Sequence, residues 1–93
     1  MAAYPVRAAM FGVGAWARVL AKAAKQSAKI ELVCCLGRNP ERAAAYSLET
    51  GIPIGKSVES VLEDRSVDAV LLALPNDLHW QFAQLAARRG KHV

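Results

Sequence analysis

The stretch 10–20, MFGVGAWARVL, sets two glycines and a third small residue at Gly12, Gly14 and Ala17. This G-x-G-x-x-A spacing suits one kind of chemistry, the holding of a diphosphate by main-chain groups. Glycine at 12 permits a tight turn, and glycine at 14 lets the backbone approach a phosphate with no Cβ in the way. Alanine at 17 lets a following helix sit close to a strand. Free N–H groups near Ala15 and Trp16, at the positive end of that helix, would then face the anion, with Val13 between the glycines. The bland alternative is a plain strand-to-helix turn built of small residues.

A second position bears on the same chemistry. Dinucleotide-binding folds usually carry an acid about twenty residues past the motif, where it holds the adenosine ribose hydroxyls. Here that position is Gly37, and Arg38 follows it. Without the carboxylate nothing repels a 2′-phosphate, and Arg38 can grip one through charge-assisted hydrogen bonds. Such bonds contribute roughly 1.5–3 kcal/mol. NADP is therefore expected in preference to NAD, with NAD use as the other option, and Arg42 stands one turn further on to assist. The plain reading of both arginines is solvent exposure near a helix start.

Other reactive residue types offer less. Cys34 and Cys35 are adjacent, so in a strand they point to opposite faces and make poor disulfide partners or joint metal ligands. They read as small buried apolar residues of a reduced, cytoplasmic protein. His79 and His92 lack helical ligand spacing and a third ligand, so no metal site is expected.

These residues need elements to position them. Val6 to Phe11 is a short apolar run ending at Gly12, a buried strand by its pattern. From Ala15 to about Ser27, Trp16, Val19, Leu20, Ala23 and Ala24 recur at three and four, opposite Arg18, Lys22 and Lys25, as in an amphipathic helix. Ile30 to Leu36 reads as a second strand. Asn39 as cap, Pro40 at the first position and Gly51 at the stop predict a helix over Pro40 to Thr50. Ile52 to Ile54 is a candidate edge strand because of Pro53, and Ser57 can cap a brief helix from Val58 to Glu63. Val67 to Leu74 is a continuous apolar run, expected as a strand buried on both faces. Pro75 and Asn76 break it, Asp77 is expected to cap a helix to about Arg89, and Gly90 ends that helix before His92 and Val93 open another strand. The alternation predicts an α/β, Rossmann-type parallel sheet with helices on both faces, with residues 1–93 as one dinucleotide-binding domain that stops before its fifth strand is complete.

Composition agrees. At 93 residues the chain makes one domain at most, and 54% hydrophobic content is ample for a core. The formal net charge of +4 is scattered among acids with no aromatic-interleaved basic stripe, so nucleic acid is not expected as a partner. No apolar stretch approaches a membrane span, and the first residues lack the pattern of a signal peptide. An incomplete outer edge would expose pairing groups and apolar surface, so self-association is expected.

The stretches LVCCLGRNPERAAAY, SVDAVLLALPNDLHWQFA and GKHV carry a further signal. From about Val6 to Val93 they resemble the N-terminal domain of the glucose–fructose oxidoreductase / inositol dehydrogenase / rhizopine-catabolism (Gfo/Idh/MocA) family. The resemblance implies a nicotinamide-dependent oxidoreductase that moves a hydride to or from a carbon bearing a hydroxyl or carbonyl, on sugars, cyclitols and related small molecules. It implies that Gly12, Val13, Gly14, Ala15 and Trp16 surround the diphosphate and that Gly37 and Arg38 face the adenosine ribose. It also implies that Leu74, Pro75, Asn76 and His79 line the nicotinamide-ribose side. Two departures stand out: Leu74 where the family commonly has Thr, and Gly37 where many members have Asp. Family members continue into a Glu-Lys-Pro segment with a catalytic lysine and a second domain that holds the substrate. No catalytic residue is therefore expected within these residues, and the chain alone is expected to bind dinucleotide without turnover. The alternative to an oxidoreductase half is a dinucleotide-sensing or purely structural Rossmann module.

Overall fold

Along β1 (Val6–Phe11), side chains alternate between the two sides of a sheet, and both sides are buried from Ala8 onward. Met10 packs with Ala17, Ala21, Cys35, Ala43 and Tyr46 on one side. Ala9 and Phe11 pack with Val61, Leu62, Val70 and Ala86 on the other. Two cores thus sandwich one strand, the arrangement that parallel sheets require. The computed structural model describes residues 5–93; residues 1–4, part of the stretch read for a signal peptide, lie outside the described residues.

The chain continues through α1 (Ala15–Lys25), β2 (Ile30–Leu36), α2 (Pro40–Thr50), α3 (Val58–Glu63), β3 (Ala69–Leu72) and α4 (Asn76–Arg88). The strands pair in parallel in the order β2-β1-β3. Single parallel bridges add Ile54 outside Cys35 of β2 and His92 outside Ala69 of β3. Helices α1 and α2 supply the small and aromatic side chains of the Met10 core, and α3 and α4 cover the Phe11 side. The adjacent cysteines divide between the cores: Cys35 lies in the first and Cys34 packs against the second.

The helix signals in 39–51 act as expected. Asn39 Oδ1 accepts from the N–H groups of Glu41 at 2.9 Å and Arg42 at 3.2 Å, and Gly51 ends the helix at φ +76°. Elsewhere the structure corrects the pattern. On α1 the buried residues are Ala17, Ala21 and Ala24, whereas Trp16 is 62% and Val19 52% exposed. Only small side chains allow the close approach between this helix and the sheet, so volume overrules hydrophobicity. The helix also ends at Lys25 rather than Ser27, because the N–H groups of Gln26 and Ser27 tighten onto Ala23 and Ala24.

The expected strand at 52–54 shrinks to one bridge. Cys35 N–H donates to the Pro53 carbonyl and Gly55 N–H to the Cys35 carbonyl, both at 2.8 Å, but Pro53 has no N–H to extend the ladder. Strand β3 begins at Ala69 instead of Val67, whose N–H closes a turn onto Asp64 at 3.1 Å. Helix α4 begins at Asn76 with Pro75 at its N-cap, so Asp77 lies inside the first turn and caps nothing. Its carboxylate there still complements the positive end of the helix.

Candidate functional site

The carboxyl ends of β1, β2 and β3 meet at one edge of the sheet, where the chain leaves β1 toward α1 on one face and β3 toward α4 on the other. Such divergence opens a crevice beyond the strand ends. A cleft of about 720 Å³ lies there, and of the residues singled out above it is lined by Gly12, Val13, Gly14, Gly37, Arg38, Leu74 and Pro75. Ala73, Leu78 and the start of α2, Asn39 to Arg42, complete the wall. Ala15, Trp16, Asn76 and His79 are not among its lining residues.

The three glycines of the cleft differ in why they are glycine. Gly12 turns the chain out of β1 at φ +114°, and a Cβ there would lie 2.2 Å from the Ala73 carbonyl oxygen. Conformation and packing both exclude a side chain. Gly37 has no positive φ, yet a Cβ on it would lie 2.5 Å from Cγ2 of Val13. Gly14 has φ −86°, which any residue adopts, and a Cβ there would meet nothing within 4 Å. Among the described residues, nothing demands glycine at 14.

The helix that begins beside Gly14 is open as well. No side chain caps α1, and no acidic residue stands in its first turn. By contrast, Asn39 caps α2 and Ser57 forms a capping box with Ser60 on α3. Among the described residues, the first N–H groups of α1 thus carry the partial positive charge of a helix start with no side-chain acceptor hydrogen-bonded to them. Arg18 braces the loop from behind: its Nη1 donates to the Val13 carbonyl at 3.2 Å, its Nε pairs with Glu49, and its guanidinium lies 5.8 Å from the centre of the Tyr46 ring.

A second hollow of about 260 Å³ adjoins the first, sharing Gly37, Arg38, Leu74 and Leu78, and is otherwise walled by groups such as Phe11, Val58 and Phe82. Phe11 and Phe82 meet edge to face at 5.8 Å. Lys56 and Ser57 stand at its border. This apolar slot escaped the sequence reading, because its walls come from four separate elements and carry no local motif. Leu78 and Ala73 escaped it for the same reason; their only signal was position next to a strand end.

Comparisons with known proteins place the chain in a family. Residues 6–93 match the family model described as "Oxidoreductase family, NAD-binding Rossmann fold". The chain belongs to the Gfo/Idh/MocA family. Within it, the chain is 40% identical over 88 residues to a D-xylose 1-dehydrogenase (NADP(+)) of Haloferax volcanii, a match covering 90% of this chain and 27% of that protein. It is 47% identical over 66 residues to a 1,5-anhydro-D-fructose reductase of Ensifer adhaerens, covering 68% of this chain and 19% of the relative. Among solved structures, biliverdin reductase from Synechocystis in complex with biliverdin and NADP+ superposes with a TM-score of 0.89 at 30% identity, over 96% of this chain and 28% of that one. The Gfo/Idh/MocA chain described here therefore spans about a quarter of the length of such relatives.

In this Gfo/Idh/MocA chain, His79 is not a lining residue of the cleft but contacts one. Its Nε2 lies 2.7 Å from the Leu74 carbonyl oxygen. A carbonyl can only accept, so Nε2 is the donor of this hydrogen bond. The imidazole thereby ties the first turn of α4 to the loop that forms one lip of the cleft. Burial, and then Cys34, push the Cys35 thiol up to about 11, while burial, and then Asp64, raise Cys34. Among the described residues no three His, Cys, Asp or Glu side chains group as metal ligands. No described helix is long and apolar enough to cross a membrane.

Proposed function

We propose that residues 1–93 form the dinucleotide-binding domain of an oxidoreductase that moves a hydride between a nicotinamide cofactor and the hydroxyl or carbonyl carbon of a sugar-like substrate. The observation that carries this reading is Gly14: a glycine with ordinary dihedrals and open space where its side chain would be, beside an uncapped helix start. That space fits a diphosphate resting on main-chain N–H groups. Gly12, Val13, Gly14, Ala15 and Trp16 form the diphosphate loop in this reading. Gly37 and Arg38 receive the adenosine ribose, and Leu74, Pro75, Asn76 and His79 form the nicotinamide side, His79 by holding the Leu74 carbonyl in place.

The cofactor in this reading is NADP(H) ahead of NAD(H). No carboxylate stands at 37 to repel a 2′-phosphate, and Arg38 borders both hollows, placed to pair with one bidentately. The xylose dehydrogenase and anhydrofructose reductase among the relatives support a sugar-like substrate. When bound, the nicotinamide supplies or accepts the hydride; these residues bind and orient it. Titration of the purified protein with NADPH and with NADH, followed by nicotinamide fluorescence, tests the reading. Saturable binding with NADPH the tighter is expected; binding of neither overturns it.

A further inference from the structure

We propose that Val13 determines cofactor choice, by occupying the space that a Cβ at position 37 would need. This rests on the proposed function above and names the residue that sets its preference. Gly37 is not among the glycines with positive φ, which are Gly12, Gly51 and Gly90. Its φ therefore does not exclude a side chain. The obstacle is lateral: a Cβ at 37 would lie 2.5 Å from Cγ2 of Val13 and 3.3 Å from Cγ1.

Val13 has little room to yield. It is 8% exposed and packs in the core with Met10, Ala17 and Cys35. A β-branched side chain is stiff at χ1. Its main chain is pinned as well, because Arg18 holds the Val13 carbonyl at 3.2 Å and is itself held by Glu49. An aspartate at 37, the residue that would hold unphosphorylated ribose hydroxyls, is thus excluded by a neighbour in the diphosphate loop. Preference for the 2′-phosphorylated cofactor is a property of the Val13–Gly37 pair, and Gly37 alone cannot be exchanged to reverse it. The same geometry shows the release. The Cβ of Val13 lies 3.5 Å from the site of a Cβ at 37, so alanine at 13 leaves an ordinary contact.

The test is a double-mutant cycle on the purified protein: wild type, V13A, G37D and V13A/G37D, with G37A and V13A/G37A as uncharged controls. Melting is measured without cofactor, and NADPH and NADH affinities by fluorescence. G37D and G37A are each expected to melt lower by roughly 5–15 °C, or to fail to fold, with no gain in NADH binding. Adding V13A is expected to recover most of that loss. In V13A/G37D it is also expected to shift the NADH-to-NADPH affinity ratio at least about ten-fold toward NADH. G37D that melts like wild type, or that prefers NADH by itself, overturns the proposal. Double variants no more stable than the sum of the singles, or a V13A/G37D variant with unchanged preference, overturn it too. Wild type that binds neither dinucleotide instead refutes the functional reading, and is seen before any substitution is made.

Discussion

The phenol of Tyr46, on α2, donates a 2.8 Å hydrogen bond to the carbonyl oxygen of Ala17, in the first turns of α1. Both residues are fully buried, so two helices on one face of the sheet are locked just behind the candidate diphosphate loop. Tyr46→Phe removes the donor and keeps the ring. It is expected to cost about 1 kcal/mol, a fall in Tm of about 4–8 °C, measured by thermal unfolding.

Gly12 and Gly14 belong to one motif and separate cleanly in experiment. Gly12→Ala adds a Cβ at positive φ against the Ala73 carbonyl, and is expected to cost about 2–5 kcal/mol. Gly14→Val meets open space and is expected to leave stability within about 0.5 kcal/mol. It should nevertheless weaken NADPH binding at least about ten-fold, by filling the space proposed for the diphosphate. Chemical denaturation and fluorescence titration of the two variants give the contrast; loss of stability without loss of binding for Gly14→Val contradicts it.

Arg38 is exposed at the junction of the two hollows. Arg38→Ala is expected to lower NADPH affinity about ten- to a hundred-fold and to leave NADH affinity nearly unchanged. Equal losses for both cofactors would assign Arg38 to the diphosphate rather than to a 2′-phosphate.

The buried thiol makes the fold sensitive to alkali. Cys35 is raised from 9.0 to about 11, first by burial and then by Cys34. A folded-state value above the unfolded one means that this contribution to stability is whole below about pH 9 and is lost as pH rises through about 11. Tyr46, also raised by burial, acts in the same direction above its ordinary range. Denaturant midpoints should fall across pH 9–11 in wild type, and less steeply in Cys35→Ala. At neutral pH neither cysteine should react readily with a thiol reagent unless the protein is unfolded.

His79 holds the lip of the cleft through Nε2 and the Leu74 carbonyl. A nitrogen-15 spectrum should show the proton on Nε2. His79→Ala should cost about 1 kcal/mol and weaken nicotinamide-side contacts more than adenosine-side ones, read by comparing NADPH with adenosine 2′,5′-bisphosphate.

Much of this architecture is legible in order, because its signals are local. The span of β1 follows from an apolar run closed by Gly12, and that of α2 from Asn39, Pro40 and Gly51, whose capping chemistry acts within one turn. Two expectations fail for different reasons. Trp16 and Val19 satisfy the helical period on α1, yet alanines fill its interface, since the distance between helix and sheet is set by packing and not by the helix itself. Asp77 has the right type for a cap, but the helix already starts after Pro75, two residues too early for it.

The residues by themselves determined the alternation of strands and helices, the glycine turn and the absence of an acid at 37, for each depends on neighbours in the chain. Tertiary structure alone decided why position 37 is glycine, which lip His79 secures and that Gly14 faces open space. Those facts arise where β1, β2 and β3 end side by side, bringing Val13 against Gly37 and Ala73 against Gly12. Steric exclusion between segments distant in sequence leaves no mark on either one read alone.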